Sequence, residues 1–169
     1  MSVSLVAMLV FFPAAMAYAA ASDLFTMTIS NRLCLVLLVG FLACAALLGI
    51  SLHQIAMHFA AGALVLVVCF GMFAAGWIGG GDAKLAAVTA LWFGFDQLLP
   101  YLGVAGMFGG VLTFGVLMLR SSPLPAFAGW PWLLRLHSAK EGVPYGIALA
   151  FSALLILPET SLWRAAVGA

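Results

Sequence analysis

The chain has 169 residues, 66% of them hydrophobic, with only six basic and five acidic side chains, and its mean hydropathy is +1.25. That composition excludes a water-soluble globular domain. A net charge of +1 with no basic block behind it removes nucleic acid as an expected partner and leaves lipids and other membrane proteins.

A helix needs about 20 residues to cross the hydrocarbon core, so six crossings use roughly 120 positions and leave only short loops. Six apolar segments lie between the charges, at about 2–21, 33–50, 55–75, 85–95, 101–119 and 143–157. The fourth and sixth are short and are expected to extend by a turn. The runs are uninterrupted and rich in Leu, Ala, Val, Met and Phe, unlike the alternating ten-residue strands of a membrane barrel, and helices satisfy their own backbone in lipid. The expected fold is all-α, a polytopic membrane bundle of about six transmembrane helices forming one integral-membrane domain over 1–169.

In the first segment, Ala17, Tyr18 and Ala19 resemble a signal-peptide cleavage site, but no Lys or Arg precedes the apolar run, so it is read as a retained span. With six crossings, one set of loops holds Arg32, Lys84, Arg120, Arg135 and Lys140, and the other side has only Arg164. The positive-inside rule then places the first set in the cytoplasm and both termini outside. Cys34, Cys44 and Cys69 stand alone in apolar runs and read as small buried hydrophobes. His53, His58 and His137 have no partner at ligand spacing, so no metal and no cofactor are expected.

Ionisable groups near hydrocarbon cost a few kcal/mol each, so each of the five acids needs a reason. Asp23 closes the first segment; Asp82 opens the fourth, directly after Gly79, Gly80 and Gly81. Two crossings separate them, so parity returns both carboxylates to the cytoplasmic side at similar depth. Each could simply cap a helix. The glycine run argues for more, since it permits unusual backbone angles and close approach of another chain. Two facing carboxylates that share a proton can activate water and polarise a carbonyl, and their titration belongs to the pair.

The string Gly79-Gly80-Gly81-Asp82-Ala83-Lys84-Leu85 resembles the G-x-G-D-x-K-L motif of the type IV prepilin peptidases, intramembrane aspartic proteases of the GxGD class. Asp23 followed by Ile29, Ser30 and Asn31 is similar to that family's first aspartate motif, with Ser30 where the family usually has proline. Val143-Pro144-Tyr145-Gly146 is similar to the opening of its late helix. The short length resembles the compact form of tight-adherence (Flp) pilus systems. The resemblance implies an inner-membrane aspartic endopeptidase that removes the cytoplasmic leader of a prepilin after a glycine, just before an apolar helix. It implies Asp23 and Asp82 as the catalytic pair, and Gly79, Gly80, Gly81, Lys84, Asn31, Pro144, Tyr145 and Gly146 as substrate-binding or site-shaping residues. The cysteine-bearing insert of longer members is missing, so N-methyltransferase activity is not expected. An extended leader could pair with the glycine backbone as an edge.

Lys84 lies about 200° around a helix from Asp82 and is read either as snorkelling to lipid phosphate or as acting electrostatically on the aspartate or substrate. His53 and His58 are expected at the outer interface, and Asp96 and Gln97 at an outer turn. The loop 120–142, with Pro123, Pro125, Pro131, Trp130 and Trp132, reads as an interfacial anchor or a lid over the leader. Glu141 is a loop charge and Glu159 ends the last span. The rival reading is a non-catalytic membrane component of a pilus-assembly or transport complex, which predicts midplane acids and internal repeats.

Overall fold

The computed structural model describes residues 10–124 and 129–167; residues 2–9 of the expected first span and Pro125 of the long loop lie outside them. Among the described residues all regular structure is helical.

Helix α1 (Phe12–Thr26) has Pro13 in its first turn and ends at Met27, whose φ of 53° closes an αL cap with its N–H on the Asp23 carbonyl at 2.8 Å. Ser30 starts α2 (Asn31–Leu48), its hydroxyl accepting from the Leu33 N–H at 3.3 Å. Its φ of −72° is one that proline would impose, so serine keeps the turn and adds a cap. Gly49 in the αL conformation ends that helix. A capping box opens α3 (Leu52–Ala74): Ser51 N–H donates to Gln54 Oε1 at 2.9 Å and Gln54 N–H to Ser51 Oγ at 3.2 Å. Helix α4 (Gly80–Phe93) follows an extended Gly79 and stops at Gly94, φ 64°. Then come α5 (Leu98–Ser121), the short α6 (Pro131–His137) and α7 (Tyr145–Ile156). A single 3-10 turn, Leu157–Glu159, leads from α7 into α8 (Ser161–Val167) through a 53° bend.

Three of these helices, α2, α3 and α5, are long and apolar enough to cross a membrane, and the bent α7–α8 pair makes a fourth if it is one span. The fourth apolar segment does extend by more than a turn at its N-terminal end, to Gly80, yet α4 has only 14 residues. It is apolar all round and ten of those residues are buried. Such a helix sits inside the protein rather than against lipid, so bilayer thickness does not set its length.

The bundle is arranged around α4. Its most extensive neighbour is α3; α2 packs on it as well, and α7 links it to α1 and α5. Lipid tails give apolar side chains no reason to leave them, so helices associate through close packing of small residues. Ala83, Ala86, Ala87 and Ala90 supply that surface on α4, and Gly62 of α3 lies so near that a Cβ there would be 3.1 Å from the Ala87 carbonyl.

Deeper along α4, Trp92 is buried against Phe12 and Phe41, with ring centroids 4.8 and 6.0 Å away, and its indole N–H donates to the Leu37 carbonyl at 3.0 Å. His58, expected at the interface, is instead buried, with Nδ1 2.7 Å from the Leu91 carbonyl. That carbonyl falls in the last turn of α4, where no helical N–H remains to bond it. Since a carbonyl only accepts, Nδ1 carries the proton.

Replacing Trp92 by alanine is expected to destabilise the protein by about 3–5 kcal/mol, and by phenylalanine, which loses chiefly the indole hydrogen bond, by about 1 kcal/mol. Denaturation in detergent, followed by tryptophan-independent circular dichroism, measures both. Ser30→Pro should change stability by less than about 1 kcal/mol, because the lost cap is offset by a stiffer unfolded chain; a larger loss in the same assay would show that the turn needs the hydroxyl.

Candidate active site

Asp23 lies in the last turn of α1, at the negative end of the helix dipole, where a carboxylate is unfavourable and caps nothing. It is nevertheless buried, at 5% exposure. What holds it is α7: the Gly146 N–H donates to Asp23 Oδ2 at 2.7 Å. Gly146 is in the first turn of α7, so Asp23 faces the positive end of that helix through one of its free amides. The contact requires glycine. A Cβ at position 146 would stand 2.8 Å from Asp23 Oδ2 and 2.9 Å from Ile29 Cδ1.

Asp82 is the third residue of α4, where its carboxylate can fold back on the start of its own helix. A Cβ on Gly79 would come within 2.9 Å of Asp82 Oδ2. The Gly79 and Gly146 amides both approach this carboxylate, and the charge of Asp23 bears directly on it. Its other oxygen, Oδ1, is buried without a hydrogen-bond partner among the described residues. Such an orphaned acceptor is rare and calls for an explanation.

The two aspartates share a cleft of ≈ 200 Å³ with Met27, Thr28, Ile29, Gly79, Gly80 and Gly81. Its floor is the turn between α1 and α2. Thr26 Oγ1 donates to the Ser22 carbonyl at 2.7 Å and lies 2.6 Å from Thr28 Oγ1, while Ser22 Oγ donates to the Thr28 carbonyl at 2.8 Å. These bonds hold Met27 in its left-handed conformation, which a non-glycine residue rarely adopts. Gly81 lies on this turn, and a Cβ there would be 3.2 Å from that of Ile29.

The glycine run is not the extended edge expected from the sequence. Gly80 and Gly81 are already helical and only Gly79 is extended, because a run that leads straight into an apolar segment is taken up by that helix. What it offers the cleft is the set of free amides in the first turn of α4.

The other expected site residues divide. Lys84 turns away from Asp82, and its Nζ donates to Asn31 Oδ1 at 2.7 Å. Both line a separate apolar groove between α2, α3 and α4. Pro144 caps α7; the Tyr145 hydroxyl lies 2.9 Å from Thr113 Oγ1, and its ring sits over Gly109. These residues set where α7 begins. Asp96 is exposed beyond the far end of α4, and Glu159 pairs with Arg164 at 3.0 Å on the surface.

Sequence reasoning took Arg120 and Arg135 only as topogenic charges. Arg120 instead donates to the Leu136, Glu141 and Gly142 carbonyls at 2.8–2.9 Å and pins the loop that leads into α7. Arg135 on α6 donates to the Phe25 carbonyl at 2.7 Å, beside an edge-on contact of Phe25 and Trp132 at 6.2 Å. Helix α6 is thereby fastened to the end of α1 two residues from Asp23. A planar five-donor group near loop carbonyls was the available signal, but its partners lie 16–110 positions away.

Residues 10–114, which include both aspartates, match the sequence model of the type IV leader peptidase family. Neither the curated proteins nor the solved structures contain a match to this chain. The matched stretch covers well over half of the 169 residues, and the chain belongs to the type IV leader peptidase family.

Proposed function

We propose that this membrane peptidase is an aspartic endopeptidase in which Asp23 and Asp82 form the catalytic pair. The observation that supports it best is the cleft itself: two acids 59 positions apart in sequence meet in one small cavity, one carboxylate oxygen having no partner among the described residues. A pair that holds one proton and one negative charge supplies a base and an acid together. The ionised carboxylate takes a proton from water as its oxygen bonds to the scissile carbonyl carbon. The protonated one donates to the carbonyl oxygen. When the tetrahedral intermediate collapses, the C–N bond breaks and the amine leaves with a proton returned from the pair. The amides at the starts of α4 and α7 offset the single negative charge throughout.

The substrate in this reading is a prepilin of the type IV or Flp class, cut after the glycine that ends its leader. The cleft is too small for more than a few residues in extended form, which suits a cut at one exposed peptide bond at the membrane boundary. The protein sits in a bacterial inner membrane with this cleft facing the cytoplasm and both termini outside, in keeping with the distribution of Lys and Arg. The segment fastened by Arg135 lies over the same end of α1 and forms one wall of the approach.

Co-expression with a Flp-type prepilin, followed by gel shift and N-terminal sequencing of the product, tests the reading. Asp23→Asn and Asp82→Asn should each lower cleavage by at least about 10²-fold while leaving the protein in the membrane; cleavage at the wild-type rate in either variant would remove that residue from the pair. The wild-type rate should fall at both pH extremes, in acid because neither carboxylate remains ionised and in alkali because neither remains protonated. Gly146→Ala should lower cleavage at least about tenfold and stability by about 1–3 kcal/mol, since its methyl group collides with Asp23. Gly103→Ala, in a helix interior with nothing within 4 Å, is the control that leaves cleavage unchanged and does not lower stability.

A further inference from the structure

Outside the cleft, a groove of ≈ 610 Å³ lies between α2, α3 and α4. Its walls are hydrocarbon-like, with Cys34, Phe59, Gly62 and Leu91 among them, and its only polar lining residues among the described ones are Asn31 and Lys84 at one end. The polar end offers donors, its side-chain acceptor, Asn31 Oδ1, being taken by Lys84. Lys84 has three N–H groups and spends one on Asn31 Oδ1, so two remain, and the Asn31 amide has both of its own N–H groups left. Asn31 is also the first residue of α2, where the helix dipole is positive. No acidic side chain lines the groove.

A cationic, donor-rich mouth leading into an apolar slot is complementary to an amphiphile with an anionic head and a hydrocarbon tail. The length of the slot selects among such molecules. From Lys84 to Leu91 it follows α4 for seven residues, about 10 Å, whereas one leaflet of hydrocarbon is about 15 Å and a crossing helix needs about 30 Å. A slot that runs from headgroup depth part-way to the midplane fits one acyl chain and is too short to match a transmembrane helix. We infer that this groove binds one anionic phospholipid, its phosphate held by Lys84 and Asn31 and one acyl chain lying between α2, α3 and α4. The bound head would tie the start of α2 to the first turns of α4, two residues from Asp82. The inference does not depend on the proposed peptidase chemistry, and its test requires no substrate.

Native mass spectrometry of the full chain in detergent, titrated with phosphatidylglycerol or with phosphatidylcholine of the same acyl chains, measures the site. One phosphatidylglycerol should be retained per chain, about fivefold more tightly than phosphatidylcholine. Lys84→Gln should abolish that preference and Lys84→Arg should keep it. Ala63→Phe, which fills the groove from an exposed position of α3, should weaken retention of either lipid, while Val67→Phe, exposed on the same helix and outside the groove, should not. Equal retention of the two lipids, no retention, a preference untouched by Lys84→Gln, or retention untouched by Ala63→Phe would each overturn the inference.

Discussion

The contact between the Gly146 amide and the Asp23 carboxylate is the constraint from which the rest of the architecture follows. A carboxylate in the last turn of a helix, buried and beside a second carboxylate, is opposed three times over: by the dipole of its own helix, by loss of water and by like charge. Only a strong local donor can offset that, and the start of α7 brings one to 2.7 Å. To place it there, α7 must begin at residue 145 and nowhere else. Pro144 caps it, Tyr145 is anchored to Thr113, and Arg120 gathers the carbonyls of the preceding loop. A loop that would otherwise wander is tied at three points because the helix after it starts at a charge.

The same constraint explains why α4 is short and rich in alanine. Asp82 must sit in its first turn, so the helix has to begin inside the bundle at the level of Asp23 rather than out in the headgroups. Once inside, it is surrounded, and only small side chains let α2, α3 and α7 close on it from several directions. Both ends then need partners that a lipid-exposed helix would find in water. Glycines, with no side chain to intrude, let the first turn face the cleft, and the imidazole of His58 bonds a carbonyl of the last turn.

These relations also divide what could be read in the sequence from what could not. The helical class and the meeting of Asp23 and Asp82 at one end of the bundle were legible, because hydrophobic length, scarcity of charge and crossing parity are properties of the chain read in order. So was the need for Gly146, though only by resemblance. What escaped were particular side-chain partners distant in sequence: the burial of His58 by the end of α4, the Lys84–Asn31 bond across 53 positions, and Arg135 on the carbonyl of Phe25 across 110. The glycine run was misjudged for a local reason. Glycine permits an extended edge but does not demand one, and the apolar run behind it recruits it into the helix. The left-handed Met27 gave no signal at all, since nothing in a methionine announces a positive φ.

Most of the groups that surround the two carboxylates belong to the backbone. Amides of Gly79 and Gly146, the first turns of α4 and α7, and the carbonyl-bonded turn at 26–28 form the wall, and side chains enter it mainly to stay out of the way. Backbone donors have fixed positions, cost no rotamer entropy on binding and keep their polarity at any pH, which suits a cleft that brings two acids together. They also explain the pattern of glycine in this chain. Where α5 faces lipid, glycines have open space beside them and a methyl group would fit; at positions 79, 81 and 146 a methyl group would stand within about 3 Å of a carboxylate or of Ile29. The cleft brings two carboxylates together, and their ability to meet rests on residues that have no side chain.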